Sequence, residues 1–127
     1  MSSAPLVSVV IPTHNRKAML FRLVESIFKS SYRHVEVIVI DDASTDQTTE
    51  SFQKKFGTKQ NIRIYRNKTN LFTAGSRNEG LGRAKGKYIF FVDDDNILHP
   101  KAIEEMVHVF QNDTSIGELG PVNYGYP

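Results

Sequence analysis

The chain contains no cysteine and no tryptophan. The absence of cysteine excludes disulfide frameworks, thiol nucleophiles and zinc–thiolate clusters. The sequence also has no apolar run close to the roughly 20 residues that a membrane-spanning helix needs. Its first residues lack the basic region and the continuous apolar segment of a secretory signal. We therefore expect a cytoplasmic protein, or one that is peripheral at the inner face of a membrane.

An excess of one charge is also nearly absent, because 16 Lys and Arg residues face 14 Asp and Glu residues and leave a net charge of +2. Such a balance does not indicate a nucleic-acid partner, and we predict none. The 127 residues, of which 39% are hydrophobic and 24% charged, suit one globular domain. We accordingly treat residues 1–127 as a single domain.

Four short runs of branched and aromatic residues predict four β-strands. The first, second and fourth are almost continuously apolar, which is typical of strands that helices cover on both faces of a parallel sheet. The runs are Leu6–Ile11, Val35–Ile40, Ile62–Tyr65 and Tyr88–Val92.

Helical signals lie between the first three runs. The segment 44–47 (Ser-Thr-Asp-Gln) reads as a capping box that begins a helix, Gly57 is placed to end it, and Phe52 and Phe56 form its buried pair. Ahead of it, one stripe with helical spacing predicts an amphipathic helix. That stripe consists of Leu20, Leu23, Val24, Ile27 and Phe28.

Two further helices are predicted after the third run. One spans about 74–85, with small residues and Leu81 on its apolar face, and the other has Pro100 at its first helical position. Ile103, Met106, Val107 and Phe110 form the apolar stripe of the last helix. The alternation of strands and helices predicts a Rossmann-like, doubly wound α/β fold, with a mostly parallel sheet and helices on both faces. Ligands of such sheets bind beyond the carboxyl ends of the strands.

Three carboxylates, Asp93 to Asp95, follow the fourth run directly. If they are buried without partners they repel one another, so a cation must compensate them or water must surround them. Mg²⁺ or Mn²⁺ suits carboxylate oxygens, and Mg²⁺ keeps positions for substrate phosphates. The segment is therefore either a metal site for a phosphate-bearing ligand or a solvated loop.

Polar residues also end the first and second runs. The segment 12–16 (Pro-Thr-His-Asn-Arg) follows the first, and we expect Pro12 to end that strand. Asp42 is either a ligand-binding carboxylate or an Asx-turn residue, and His14 alone is more typical of a surface turn. Arg77 would oppose a phosphate or pair with an aspartate.

The glycines at 80, 82 and 86 do not form a phosphate loop. Gly82 and Gly86 are separated by three residues, where a P-loop needs four, and the segment precedes a strand instead of following one. We predict that these glycines serve close packing and a helix end.

Four segments together resemble the family-2 glycosyltransferases of the GT-A fold, over about residues 6–110. Their joint occurrence in the right order is far more specific than any one of them. The segments are Val7–Arg16, Val39–Asp46, Ala74–Gly80 and Ala84–Asp95.

The resemblance implies transfer of a sugar from a nucleotide-sugar donor, a UDP-sugar above all, with inversion at the anomeric carbon and Mg²⁺ or Mn²⁺ as cofactor. It places Pro12 and His14 at the base, Asp42 as the carboxylate that reads the base, and Asp94 at the ribose. His14 stands where the family often has tyrosine, and Ser76 replaces the usual alanine before Arg77. The nucleotide-binding set is Pro12, Thr13, His14, Asn15, Arg16, Asp42, Arg77 and Asp94, and the metal set is Asp93 and Asp95.

In the family the acceptor-binding half and its general base lie downstream of the acidic motif. We therefore expect this chain to be the donor-binding half of a truncated GT-A fold, with its last residues, 116–124, beginning a further strand, and with homo-oligomers as one outcome. A non-catalytic nucleotide-sugar-binding module that acts with a partner chain is the alternative. A signalling receiver domain is more distant, because its acidic pair is missing after the first strand.

Overall fold

The computed structural model describes residues 4–113, in which four strands alternate with four helices. The strands are β1 (Val7–Thr13), β2 (Val35–Asp41), β3 (Ile62–Arg66) and β4 (Tyr88–Phe91). The helices are α1 (Lys17–Phe28), α2 (Thr48–Phe56), α3 (Phe72–Arg83) and α4 (Ala102–Asn112). The predicted order of elements is confirmed.

The strands form one parallel sheet in the order β3-β2-β1-β4. β1 pairs with β2 along its whole length, from Val7 opposite Val35 to Thr13 opposite Asp41. On its other side β1 pairs with β4 as far as Val10. The chain first builds the sheet in one direction and then returns to add β4 next to β1, so the strand order reverses between β1 and β4.

Helices cover both faces of the sheet, as predicted. The odd-numbered residues of β1 and β2 pack with apolar residues of α1, α2 and α4 in the main core. Val10, Ile38 and Ile40 face the other way and form a smaller cluster on the α3 side. Both faces of the two central strands are therefore buried, which explains why their sequences are almost continuously apolar.

The apolar stripe of α1 faces the sheet as its spacing predicts. Leu20, Leu23 and Val24 are fully buried, Ile27 is buried, and Phe28 packs at the edge of the core. Phe52 and Phe56 of α2 are buried with them, and ring contacts join α1 to α2 through Phe21 and Phe28. The stripe of α4 is buried at Ile103 and Val107 and partly buried at Met106 and Phe110.

The capping box predicted at Ser44 is wrong. The Ser44 hydroxyl accepts a hydrogen bond from the amide of Asn15 at 2.9 Å instead of capping a helix. Helix α2 begins four residues later, and Asp46 accepts the amide hydrogen of Thr48 at 3.1 Å. The hydrogen-bond partner of Ser44, Asn15, lies 29 positions away in the sequence, which explains why a local motif misplaced the start of the helix.

The bounds of α3 and α4 also differ from the prediction. Helix α3 begins and ends two residues earlier than expected, and Leu81 is 49% exposed, so buried Ser76 and Gly80 form its inner face instead. Helix α4 begins at Ala102, because the carbonyl of Pro100 accepts the amide hydrogen of Ser31 at 2.8 Å.

Pro12 does not end β1, contrary to the prediction. The strand continues to Thr13, with Pro12 opposite Ile40 of β2. The carbonyl of Thr13 accepts a hydrogen bond from the amide of Asp42, which follows β2, whereas the carbonyl of Val10 accepts one from the amide of Val92, which follows β4. The backbone polar groups of even-numbered residues of β1, including Pro12, therefore point toward β4. The pairing with β4 ends at Val10, and the missing amide hydrogen of Pro12 therefore interrupts no ladder.

Two of the three glycines serve close packing. A Cβ atom on Gly80 would lie 2.2 Å from Cγ1 of Val10, so glycine lets α3 lie directly on the sheet. A Cβ atom on Gly86 would lie 2.6 Å from the Ser8 hydroxyl. Gly82 has open space around it, and the packing role predicted for it is wrong.

No helix within residues 4–113 is both long enough and apolar enough to cross a membrane. The predicted strand at 116–124 lies outside the described residues.

Candidate functional site

A cleft of about 410 Å³ lies at the carboxyl ends of β1, β2 and β4. It opens next to the point where the strand order reverses, which is where parallel α/β sheets bind ligands. Its lining residues are Pro12, Thr13, His14, Arg16, Asp42, Phe72, Thr73, Ser76, Arg77, Asp93, Asp94 and Asp95. All residues predicted for nucleotide or metal binding, except Asn15, therefore meet in one place.

A buried hydrogen bond joins the ends of β1 and β4. The Thr13 hydroxyl donates to one carboxylate oxygen of Asp94 at 2.8 Å, and Arg16 approaches the other oxygen at 3.3 Å. The Asp94 side chain is almost fully buried, whereas the Arg16 side chain is about half exposed. The orientation of Asp94 is thus set by two groups of the segment that follows β1.

The pKa of Asp94 is raised above its ordinary value, because burial disfavours the charged carboxylate and the neighbouring Asp95 repels it. The hydrogen bond from Thr13 and the charge of Arg16 act in the opposite direction without cancelling burial. A buried carboxylate with a raised pKa in a cleft is typical of a functional site.

The two neighbouring aspartates are exposed to solvent. Asp93 forms an ion pair with Arg77 of α3 at 3.2 Å, which is one of the two roles that the sequence left open for Arg77. Asp95 has no hydrogen bond or ion pair with any of residues 4–113. The Nε atom of Arg77 is buried and also has no hydrogen-bond partner among those residues. Two residues that line the cleft, Asp95 and Arg77, therefore keep a carboxylate and an Nε–H group without a hydrogen-bond partner among the described residues.

Asp93 and Asp95 are the residues that suit a divalent cation. Within residues 4–113, no three His, Cys, Asp or Glu side chains are grouped as a complete metal site. Mg²⁺ needs only one or two protein carboxylates when phosphates and water supply the other oxygens. The donor set fits an ion that is shared with a phosphate-bearing ligand better than one that the protein holds alone.

Asp42 lies at the β2 end of the cleft and is buried. One carboxylate oxygen accepts from the Asn67 amide group at 3.0 Å and from the backbone of Leu71 at 2.7 Å. The other oxygen accepts from the backbone of Phe72 at 2.9 Å. The main-chain oxygen of Asp42 lies 2.6 Å from Nδ1 of His14. Asp42 thus connects β2 to the start of α3 and to the loop after β1.

Asn15 and Asp41, although close in sequence to cleft residues, do not line the cleft. Asn15 accepts the amide hydrogen of Thr45 at 2.7 Å and so ties the loop after β1 to the loop after β2. Asp41 is fully buried and accepts hydrogen bonds from Thr49 at 2.6 Å and from Ser44 at 3.0 Å. Both residues shape the walls of the site from behind.

Sequence reasoning missed three lining residues at the start of α3, namely Phe72, Thr73 and Ser76. Ser76 is fully buried and accepts a hydrogen bond from Asn67 at 3.1 Å. The resemblance already pointed to this segment through Arg77. An exposed phenylalanine gives no motif, so Phe72 carried no signal.

Curated relatives with similar sequences are glycosyltransferases. An uncharacterized glycosyltransferase of Haemophilus influenzae is 35% identical over 120 residues, which cover 94% of this chain and 37% of the relative. A GalNAc(5)-diNAcBac-PP-undecaprenol beta-1,3-glucosyltransferase of Campylobacter jejuni is 33% identical, with 85% of this chain and 38% of the relative covered. The chain spans between 36% and 44% of the length of the three Haemophilus influenzae relatives it matches.

Solved glycosyltransferase structures share the fold. S. aureus TarS 1-349 in complex with UDP-GlcNAc superposes with a TM-score of 0.77 at 29% identity, covering 84% of this chain and 31% of TarS. The mannosyltransferase PcManGT from Pyrobaculum calidifontis, in complex with GDP-Man and Mn²⁺, gives a TM-score of 0.79 at 23% identity. That likeness covers 86% of this chain and 33% of PcManGT, and it shows the shared fold.

The family model described as Glycosyl transferase family 2 matches residues 8–125, which include every strand end that builds the cleft. With the GT-A fold and the relatives above, this match means that the chain belongs to glycosyl transferase family 2.

Proposed function

We propose that the chain binds a nucleoside-diphosphate sugar in the cleft and forms the donor-binding part of an inverting glycosyltransferase that uses Mg²⁺ or Mn²⁺. The observation that carries this proposal is the order of groups along the cleft. His14 and Asp42 lie at the β2 end, Thr13 and Asp94 in the middle, and Asp93 and Asp95 at the β4 end. A base, a ribose and a diphosphate follow one another in the same order.

A uridine donor is the most specific form of this proposal. TarS, at 29% to 30% identity, was solved with UDP-GlcNAc and with UDP, which supports uridine as the base. PcManGT was solved with GDP-Man, but at 23% identity the likeness supports the fold alone. We accordingly expect UDP to bind more tightly than GDP.

The residues of this chain would act on the donor as follows. Asp95, which has no hydrogen bond or ion pair within residues 4–113, and Asp93 would hold the divalent ion beside the diphosphate, while Thr13 would keep Asp94 turned toward the ribose. The buried Nε of Arg77 donates to a phosphate oxygen once the guanidinium turns from Asp93. When bound, the ion stabilises the negative charge that grows on the departing nucleoside diphosphate.

In this proposal Asp93, Asp94 and Asp95 act on the donor, and the carboxylate oxygens of Asp42 accept from Asn67, Leu71 and Phe72. Inversion also needs a general base within hydrogen-bond reach of the acceptor hydroxyl, on the opposite side of the sugar. We therefore place that base, and the acceptor-binding surface, outside residues 4–113. The alternative, a donor-binding module that acts with a partner chain, satisfies the same requirement if the partner chain supplies the general base and the acceptor-binding surface.

We further propose that the protein acts in the cytoplasm, peripheral to the inner face of a membrane. The name of the Campylobacter jejuni relative includes an acceptor linked to undecaprenol, which supports a membrane-bound acceptor. Fractionation of cells tests this, because a salt wash should release a peripheral protein from the membrane pellet. Recovery in a periplasmic or secreted fraction would contradict it.

Calorimetric titration with UDP, GDP, ADP and CDP, each with Mn²⁺ and with EDTA, tests the proposed donor site. We expect UDP to bind tightest and to lose most of its affinity in EDTA. Asp95→Asn keeps the side-chain shape but weakens a metal ligand, so UDP affinity in Mn²⁺ should fall by about tenfold or more. Glu105→Gln, an exposed change on α4, is the control and should bind as the wild type does.

Two results would contradict the proposal at different levels. Equal UDP affinity in Mn²⁺ and in EDTA would contradict the proposed role of the metal ion. No measurable binding of any nucleoside diphosphate would contradict the proposed donor site itself.

A further inference from the structure

Phe72 has an unusual backbone conformation at the entrance of the cleft. Its φ angle is 62°, in the left-handed region that bulky residues rarely adopt, and its side chain is 72% exposed. An exposed phenyl ring gains nothing from burial here, and the backbone conformation costs energy. Strain of this kind persists where surrounding contacts impose it, most often at functional sites.

Asp42 imposes the conformation of Phe72. Its carboxylate accepts the amide hydrogens of Leu71 at 2.7 Å and of Phe72 at 2.9 Å, and the Asn70 side chain also accepts from Phe72 at 2.9 Å. Asp42 is buried and belongs to the sheet end, so it is a rigid anchor. The position of the ring of Phe72 is therefore set by a residue of the site and not by the ring's own packing.

A second ring depends on the same residue. His14 approaches the main-chain oxygen of Asp42 with Nδ1 at 2.6 Å, and like Phe72 it lines the cleft and is exposed. Asp42 thus contacts two ring-bearing residues that line the cleft. Planar side chains that are exposed and held in place suit the face of a planar ligand.

We infer that Phe72 is a specificity-determining residue whose ring stacks on the base of the bound nucleotide, and that Asp42 is the positioning residue that sets this ring. The inference rests on the proposed function, because it needs a nucleoside diphosphate in the cleft. Stacking covers the exposed phenyl ring and acts on the base alone. The diphosphate and the metal bind at the β4 end and do not depend on it.

Binding of UDP and of inorganic pyrophosphate, both with Mn²⁺, to four variants tests the inference. Phe72→Leu keeps the strained backbone and an apolar side chain but removes the ring, so UDP affinity should fall about 5- to 100-fold, the range for loss of a stacked base. Pyrophosphate affinity should stay unchanged. Phe72→Tyr keeps the ring and should bind UDP within about twofold of the wild type, because stacking needs only the aromatic face.

Leu71→Ala is the matched control. Leu71 is also exposed, at 40%, and also donates its amide hydrogen to Asp42, but it does not line the cleft. Its loss should leave UDP affinity unchanged. Phe72→Gly should raise the melting temperature, since glycine adopts a positive φ without strain, and should still lose UDP affinity.

The role of Asp42 is tested by combining variants. If Asp42 acts through Phe72, Asp42→Asn should reduce UDP affinity much less in the Phe72→Leu background than in the wild type. If the role of Asp42 is purely structural, Asp42→Asn should lower the affinities for UDP and for pyrophosphate by the same factor. Additive effects of the two changes would overturn the assignment of Asp42 as a positioning residue.

A spectroscopic measurement uses the absence of tryptophan from the chain. Phe72→Trp introduces a single indole, whose emission should be quenched by UDP but not by pyrophosphate. Equal UDP affinity of wild type and Phe72→Leu, or no quenching by bound UDP, would overturn the inference and leave the donor site standing. A wild-type chain that binds no nucleoside diphosphate would overturn both.

Discussion

Thr13 and Asp94 lie 81 positions apart in the sequence, and a buried hydrogen bond of 2.8 Å joins them across the ends of β1 and β4. The bond orients a carboxylate whose charge the fold does not fully compensate, as the raised pKa of Asp94 shows. The centre of the cleft is thus built at a cost to stability, and that cost depends on pH.

Asp94→Asn should make the folded chain more stable at pH 7 than the wild type. Because its pKa is raised on folding, Asp94 contributes its full stability below the ordinary carboxyl pKa, and that contribution is lost as pH rises through the folded pKa. The advantage of the variant, measured by urea unfolding, should therefore shrink between pH 7 and pH 3. A difference in stability that does not change with pH would contradict this. The affinity of Asp94→Asn for UDP should also be lower than that of the wild type.

Asp46→Ala should destabilise the chain by about 0.5–2 kcal/mol, as for a side chain that accepts the amide hydrogen of a first-turn residue, here that of Thr48. Burial by itself would raise the pKa of Asp46, but hydrogen bonds from the Thr48 hydroxyl and from the backbones of Lys17 and Thr48 lower it. The stabilisation is present above the ordinary carboxyl pKa and is lost as pH falls through the lowered folded value.

The matched variant Asp46→Asn keeps a side-chain oxygen for capping. It should retain most of the stability at pH 7, since Asn and Asp are comparable caps, and lose only the dependence on acid. Thermal unfolding of both variants at pH 7 and pH 3 is the measurement. If Asp46→Ala costs as much at pH 3 as at pH 7, the charge of Asp46 is not what stabilises the two helix starts.

Gly80→Ala and Gly82→Ala should have opposite effects although both lie in α3. A Cβ atom at residue 80 would lie 2.2 Å from Val10, so overpacking should cost about 1–3 kcal/mol. Residue 82 has open space, and alanine there should stabilise the helix by up to about 1 kcal/mol. Val10→Ala should partly rescue Gly80→Ala in a double-mutant cycle, and the absence of rescue would place the clash elsewhere.

The purified 127-residue chain should bind a donor and transfer sugar at a negligible rate. The proposed function places the general base outside residues 4–113, and loss of general-base catalysis alone typically lowers a rate by about 10²- to 10⁴-fold. Release of UDP from a UDP-sugar, followed with and without added acceptors, is the measurement. Efficient transfer by this chain would show that a carboxylate described here, or one from a second copy, acts as the base.

The chain should self-associate in solution. Within residues 4–113, β4 pairs only with β1 and leaves its other edge without a strand, and Phe91 on that strand is 39% exposed. Unpaired edges and exposed apolar groups favour association. Light scattering across a range of concentrations should report a dimer or a larger species, and a monomer at all concentrations would contradict the prediction.

Periodicity predicted the layers of this fold because those signals act on whole elements. The four strands within residues 4–113 match the four predicted runs, and the stripe of α1 faces the sheet, since apolar spacing is repeated over many residues. Helix ends were less accurate, because each depends on one or two hydrogen bonds. Ser44 and Pro100 failed for the same reason, as each gives its capping or helical group to a residue at least 29 positions away.

The cleft was predicted through strand ends and family motifs, and its lining confirms that these residues meet. Their individual roles stay predictions. The sequence did not predict Phe72 as a cleft residue, because its position depends on a backbone angle and on a hydrogen bond to Asp42, 30 positions earlier. No spacing rule encodes a contact of that kind.

The strand order has a consequence for how the chain folds. β1, β2 and β3 are joined in sequence by single helices, so these pairings close short loops and can form early. After β3 the chain must pass both β2 and β1 to place β4 on the far side of β1, and the β1–β4 contact spans about 80 residues. We expect the β1–β4 pairing to form last during synthesis and refolding, so that the cleft appears only when the rest of the sheet is complete.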